Sequence, residues 1–371
     1  MRWPFRPAGE FEAPADPVTA RQVRRLSRGF CVAVVAFAAV FPLVVPNPTY
    51  TSIGVFTLIF VAAAASWNGF CGYSGYISLG NGIFYGSGAY TMALLSTTWH
   101  MAGGWAEFSL VPLAGLVGAA IAVPVGIIAL RTRRHTFVVL TIALFFAFQL
   151  AAFNLPFTNG TAGVELPLPN WNGTTYNDPF YYVAFGVALF AALSFWGIRR
   201  SRLGLQLLAI RDDERRARGI GVRVFQVKLL DFTFAGFVTG MCGAMFAYFV
   251  GQSYPQFAFD PLFDVTVALM TFFGGIGTVT GPLLGALVLE PVAQYLALGN
   301  VGGNQGYIII YGLVFLVTLL FLPRGVVPSI RRAAERAVAG VSRHRVEAIA
   351  VPDPSAALSA SASGGAEATG R

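Results

Sequence analysis

The chain has 371 residues, of which 56% are apolar types and only 11% charged, with a mean hydropathy of +0.65. A soluble domain carries about 25% charge, so a soluble fold is excluded, and with it the fibrous, disordered, disulfide-stapled and nucleic-acid-binding classes. The formal charge of +8 matches basic residues held on one side of a bilayer for orientation.

The reading is an all-α polytopic integral membrane protein of about ten crossings, with broken or re-entrant Gly-rich helices. A polar arm, 1–28, precedes the transmembrane region, 29–330, and an Ala/Ser/Gly/Pro-rich tail, 331–371, reads as largely disordered. In chain order the apolar runs are 30–45, 53–67, 83–99, 110–130, 137–153, 181–198, 229–250, 262–273, 283–298 and 307–322. Most approach the roughly 20 residues that about 30 Å of hydrocarbon requires. The arm is long for a signal peptide and no clear cleavage site follows the first run, which is therefore expected to stay in place.

Ten crossings with both termini in the cytoplasm put six basic residues in the arm, three at 131–134, nine at 199–228 and seven after 323, which accounts for all 25 Lys and Arg. The opposite loops hold only acids: Glu107, Glu165, Asp178, Asp260 and Asp264. This is the distribution the positive-inside rule demands. Trp99 and Trp105 fall at the expected outer boundary, and Trp67 and Trp196 at the inner one. Of the 25 basic residues only Lys228 is a lysine, the bias of a GC-rich bacterial genome. Cys31, Cys71 and Cys242 share no metal-ligand spacing with one another or with the three scattered histidines, and read as small buried hydrophobes.

Three segments stand out. Residues 69–90 hold seven glycines together with Ser74, Ser78, Asn81 and Ser87, and carry no charge. Each glycine weakens a helix by about 1 kcal/mol. Irregular backbone inside a membrane survives only where protein or a water-filled cavity satisfies it. Two readings stand: a broken helix lining a pathway, or a tight packing seam with Gly82 and Gly86 as a small-xxx-small pair. In the second segment, 272–286, Gly274 and Gly275 read as a break, and Gly277, Gly281 and Gly285 as a stripe for close helix approach. One Gly-interrupted segment per half is a pattern of transporters with substrate sites at discontinuous helices. The third segment, 203–222, reads as a compact helix-turn-helix dense in both charges. Asp212, Asp213 and Glu214 favour the start of its second helix, and Gly219 and Gly221 its end. Docking to a soluble partner and a solvated basic loop are both compatible with it.

Taken together, these segments resemble the LivM-type permeases of branched-chain amino acid ABC importers. Residues 72–90 match that family's Gly-Tyr-x-Gly-x-x-Ser-Leu-Gly-x-x-x-Phe-x-Gly-x-Gly-Ala-Tyr pattern. Residues 209–220 match its Ala-Ile-Arg-(acid)-x-Glu segment ending in Gly-Ile. Residues 274–286 match its Gly-Gly-x-Gly-(Ser/Thr)-x-x-Gly-Pro-x-x-Gly-Ala pattern. The resemblance covers about residues 30 to 330. It implies a permease subunit in a bacterial inner membrane, paired with a second, similar permease, two ABC ATPases and an extracytoplasmic binding protein. ATP and magnesium would be used by the ATPases, and this chain would hold no catalytic, cofactor or metal site. The implied ATPase-coupling residues are Arg211, Asp212, Asp213, Glu214, Ala217, Gly219 and Ile220, the first four by polar contact. The implied substrate pathway comprises Gly72, Ser74, Gly75, Ser78, Asn81, Gly274, Gly275 and Gly277.

The chain departs from the family pattern at Arg215, Arg216 and Arg218, at Tyr76 (often Gln), at Asn81 (often His), at Asn159 and at Asp231. Asp231 lies three residues from Lys228 and reads as half of a helical ion pair. Glu290 lies inside the ninth span, where an ionisable group is costly and marks either function or, with Pro291 beside it, a break. The solute implied is small and polar, a branched-chain or other amino acid first, with urea, amides or sugars as alternatives in the same superfamily. An ion-coupled secondary transporter is the alternative of another class and would need relays at Glu290 or Asp231.

Overall fold

A computed structural model of the chain describes residues 33–45, 47–171, 173, 176–298 and 325–330, with isolated positions at 29, 312, 313 and 316. The arm 1–28, most of the tenth expected span and the tail 331–371 lie outside the described residues. Residues Phe30–Ser329 belong to one compact unit. A second unit, Phe11–Gly29 with Ile330–Arg371, contains only Gly29 and Ile330 among the described residues.

Helix α1 spans Ala33–Val44. Helix α2, Pro48–Trp67, starts where the Asn47 Oδ1 accepts from the Thr49 N–H at 3.0 Å and Pro48 takes the first position. Both residues suit a helix start, one as a cap and one as a pre-set φ. The chain then widens into a π-helical turn, Asn68–Gly72, leaves helical geometry after Ser74, and re-forms as α3, Gly82–Thr98. The expected break after the second span is therefore present. Next come α4, Leu110–Ala129, and α5, Arg134–Asn154. Helix α6, Asp178–Arg200, leads into the short pair α7, Arg202–Asp212, and α8, Glu214–Gly219. After α9, Val224–Val250, and the single turn α10, Pro255–Ala258, come α11, Pro261–Gly274, and α12, Thr280–Leu298.

Every expected span but the last falls on one of these helices. Six are long and apolar enough to cross a membrane by length and composition: Pro48–Gly72, Trp105–Ala129, Arg134–Asn154, Asp178–Arg200, Val224–Val250 and Pro255–Gly274. Helix α3, with 17 residues, is shorter, and α12 carries Glu290 and Gln294 among its apolar residues. The described residues are thus all-α, apart from a two-residue antiparallel ribbon pairing Val164–Glu165 with Gln252–Ser253.

Helix α9 is the hub. Its Gly240 meets Gly88 of α3 backbone to backbone, and a Cβ on Gly118 of α4 would lie 2.6 Å from the Gly236 carbonyl oxygen. The close seam is therefore built from Gly88, Gly118, Gly236 and Gly240. Gly82 and Gly86 pack instead against the rings of Phe145 and Phe259. The 277–285 stripe does serve close approach, since Gly281 and Gly285 face the α11 backbone at Gly274 and Met270.

Two expectations about boundary residues change. Trp67 is fully buried; its Nε1–H donates to the Ser78 carbonyl at 2.9 Å and its ring meets Phe272 edge-on. It closes the break from inside instead of marking an interface, because its one donor finds a partner there. Asp264, expected in a loop, is buried in the first turn of α11.

Candidate functional site

Two broken segments and the α7–α8 pair meet at one end of the helix bundle. In the first break Ser74 Oγ donates to the Phe70 carbonyl at 2.7 Å, and the Tyr76 N–H donates to Ser74 Oγ at 3.2 Å. The Ser78 N–H reaches Cys71 Sγ at 3.2 Å. Backbone freed from the helix is thus satisfied by side chains inside the break, as an apolar interior requires. Gly75 has φ +73°, a region that favours glycine.

The restart at α3 exposes N–H groups with no partner in their own helix. Asp264 supplies one from outside: Oδ1 accepts from the Asn81 N–H at 3.1 Å and Oδ2 from the Gly82 N–H at 3.0 Å. The second break is tighter. Thr278 Oγ1 donates to the Gly275 carbonyl at 2.7 Å and accepts from the Gly281 N–H at 3.1 Å, which turns the chain from α11 into α12.

Asn68, in the π-turn, joins the two. Its Nδ2 donates to the Thr278 carbonyl at 2.8 Å and its Oδ1 accepts from the Gly277 N–H at 2.7 Å. Gly72 and Gly277 lie against each other so closely that a Cβ on Gly72 would sit 2.9 Å from the Gly277 nitrogen. The structure therefore brings the two halves of the expected pathway set together at Gly72 and Gly277. Ser74 and Ser78 serve the backbone of the break. Asn81 is buried, and its Nδ2 has no hydrogen-bond partner among the described residues.

The α7–α8 pair closes over this junction. Asp213 caps α8 by accepting from the Arg215 and Arg216 N–H groups at 2.9 and 3.1 Å; the second of these, chiefly, holds its carboxyl below the usual carboxylate range. Arg211 turns inward: Nη1 donates to the Gly72 carbonyl at 2.6 Å and packs on Gly277, while its Cγ would lie 3.0 Å from a Cβ on Gly75. Burial pushes its pKa down. Glu214 also turns inward and accepts from the Tyr76 hydroxyl. Arg218 Nη2 lies 2.5 Å and Lys228 Nζ 3.5 Å from Glu214 Oε1. Burial pushes the Glu214 carboxyl up, but the Tyr76 hydroxyl, Lys228 and Arg218 together hold it below its ordinary value. Arg134, at the start of α5, donates from Nη2 to the carbonyls of Ile210 and Arg211 at 2.8 and 2.7 Å.

The expected coupling residues thus divide between two faces. Arg211 and Glu214 engage this chain, the half-buried Asp213 caps α8 and Ala217 is buried, whereas Asp212, Gly219 and Ile220 are exposed, Ile220 to 77%. The neighbouring Arg215, Arg216 and Arg218, outside the expected set, are exposed as well. The Lys228–Asp231 pair does not form. Lys228 reaches across to Glu214 and lies 4.1 Å from the Tyr76 ring centre, which leaves both Asp231 oxygens without a hydrogen-bond partner among the described residues. Glu290 is 3% exposed and accepts from Gln294 Nε2 at 2.8 Å, within a helix that runs on through Pro291. The described residues contain no metal-capable His/Cys/Asp/Glu cluster.

The sequence reading passed over Asn68, Asp264 and Arg134. The only available signal for the first two was a polar side chain in an apolar run, and neither sign nor spacing indicated a partner some 200 positions away.

Residues 49–322 match the family described as "Branched-chain amino acid transport system / permease component". The chain is 26% identical over 329 residues to the high-affinity branched-chain amino acid transport system permease protein LivM of Escherichia coli, covering 81% of this chain and 75% of that protein. It is 26% identical over 280 residues to the LivH permease protein of the same system, covering 69% and 86%. It is also 26% identical over 210 residues to the L-arabinose ABC transporter permease protein AraH of Azospirillum brasilense, covering 55% and 61%. No solved structure matches. A match over most of the chain, on a bundle of membrane-length helices, identifies this multi-pass membrane protein as a member of the branched-chain amino acid transport system permease family.

Proposed function

We propose that the chain is a permease subunit of an ATP-driven importer that carries a branched-chain or other amino acid across a bacterial inner membrane. In this reading it makes ten crossings with both termini in the cytoplasm. It pairs with a second permease of the same kind, two ABC ATPases dock beneath the pair, and a binding protein delivers the solute from outside. ATP and magnesium are used in the ATPases, not here.

The observation that carries this reading is the two-faced α7–α8 pair, with the Ile220 side chain exposed between two glycines on one side and Arg211 and Glu214 seated on the helix breaks on the other. The underside is fixed on the helix breaks, so the outer face is held in one orientation, and a groove on a soluble partner would bury Ile220 together with the charged residues around it. The basic loops support the orientation, since Arg134, Arg211, Arg218 and Lys228 gather at the same end. Greater coverage by the amino acid permeases than by the arabinose permease favours an amino acid over a sugar.

Affinity purification of the tagged chain in mild detergent, followed by mass spectrometry, tests this. The reading predicts a P-loop ATPase and a second permease with the wild type, and loss of the ATPase alone from a monodisperse Ile220→Asp variant. No ATPase, even after crosslinking in the membrane, would overturn it. Uptake of labelled leucine against labelled arabinose by the recovered complex then decides the solute class.

A further inference from the structure

We propose that Arg211 is the positioning residue through which movement of α7–α8 is transmitted to both helix breaks at once. This rests on the importer reading above. Arg211 is the last-turn residue of α7 whose guanidinium meets the two breaks where they touch: Nη1 donates to the Gly72 carbonyl at 2.6 Å and lies on the Gly277 backbone. No side chain intervenes, since both contact positions are glycines and Gly277 has φ +79°. The breaks are themselves tied by Asn68, so a pull on either is felt by the other.

Two further contacts make the connection stiff. Arg134 holds the last carbonyls of α7 to the start of α5. Glu214, the first residue of α8, holds Tyr76 of the first break, and Arg218 and Lys228 brace its carboxylate. Tilting α7–α8 therefore strains the Gly72 carbonyl and Tyr76 together. Both lie where α2 has already left α-helical geometry, the place of least resistance to a second arrangement. An energetic link between two sites needs such an element with two states, biased from both ends. The π-turn and the 75–81 stretch supply it, and Arg211 is the pin.

Cys71 provides a probe that needs no knowledge of the solute. It is 1% exposed, lies beside Gly72, and its Sγ accepts from Ser78 inside the break. With Cys31 and Cys242 replaced by alanine, Cys71 is the one thiol left in this chain, and its N-ethylmaleimide labelling rate, read on this chain after separation from its partner subunits, reports opening of the break. The experiment uses the complex with its ATPases in proteoliposomes, nucleotide-free and trapped with ATP and vanadate. The proposal predicts rates that differ about tenfold between the two states when Arg211 is present. In Arg211→Ala the difference disappears while ATP hydrolysis persists; Arg211→Lys restores part of it, and Tyr76→Phe reduces it. If Arg211→Ala shifts both rates by one common factor, the residue merely holds the fold and the proposal fails. An unchanged nucleotide response in Arg211→Ala, or none in a hydrolysing complex with Arg211 present, also overturns it. If no ATPase assembles with the chain, the importer reading itself fails, and the proposal with it.

Discussion

The two helix breaks are made of similar residues and held by different means. The first, between α2 and α3, is long and open, and borrows its partners: Asp264 from α11 caps the restart, Thr141 from α5 accepts from the Leu79 N–H, and Arg211 and Glu214 from α7–α8 grip its lower edge. The second, between α11 and α12, is short and closes on itself through Thr278, with Gly281 and Gly285 folding α12 directly back onto α11. The first break therefore depends on elements distant in sequence and can be moved by them. The second is a fixed corner that is carried along. Asn68 bonds across from the first break to the second, and Arg211 touches both.

Removing Asn68 is the most severe way to break this arrangement. Asn68→Leu leaves the Gly277 N–H and the Thr278 carbonyl unpaired in an apolar interior, at about 1–3 kcal/mol for each. We expect the largest drop in thermal midpoint of any substitution named here, measured by fluorescence-detected size exclusion after heating. A midpoint equal to the wild type would mean that the breaks are independent.

Asp264→Ala separates the two breaks. It uncaps α3 at a cost of about 1–3 kcal/mol, and hydrogen exchange should speed up at Asn81 and Gly82 but not around Gly277. Asp264→Asn, which keeps one acceptor, should fall between. Thr278→Val sharpens the contrast from the other side: it loses a local turn bond and a cap, worth about 1 kcal/mol, and exchange should rise only near Gly281.

The smallest effect is one of pH. The Glu214 carboxyl is held below its ordinary value by Tyr76, Lys228 and Arg218, so its contribution is present above about pH 4.3, the unperturbed value for Glu. It is lost as pH falls through the lower, folded value. A partly exposed pair of this kind contributes about 0–1 kcal/mol. The difference in thermal midpoint between wild type and Glu214→Gln should thus be small at pH 7 and shrink on acidification.

Much of this plan was legible in the sequence. Glycine density marked both breaks, because too many flexible residues in an uncharged run cannot remain a helix. Asp213 and the glycines at 219 and 221 marked α8, because caps are local chemistry. Tyr76 was visible as a departure from the family pattern, without its partner. What did not show was long-range pairing: that Arg211 and Glu214 face inward, that Lys228 prefers Glu214 to Asp231, and that Asp264 serves α3. A side chain's type declares what it needs to bond, but only the folded backbone decides which of several distant groups answers.

The most direct test of the two-faced α7–α8 pair is photo-crosslinking in intact membranes from a benzophenone amino acid placed at Ile220 or, as a control, at Leu230, which is exposed on α9. An adduct with a P-loop ATPase from Ile220 and none from Leu230 is the result predicted here. An ATPase adduct of equal yield at both positions, or none from Ile220, would contradict it.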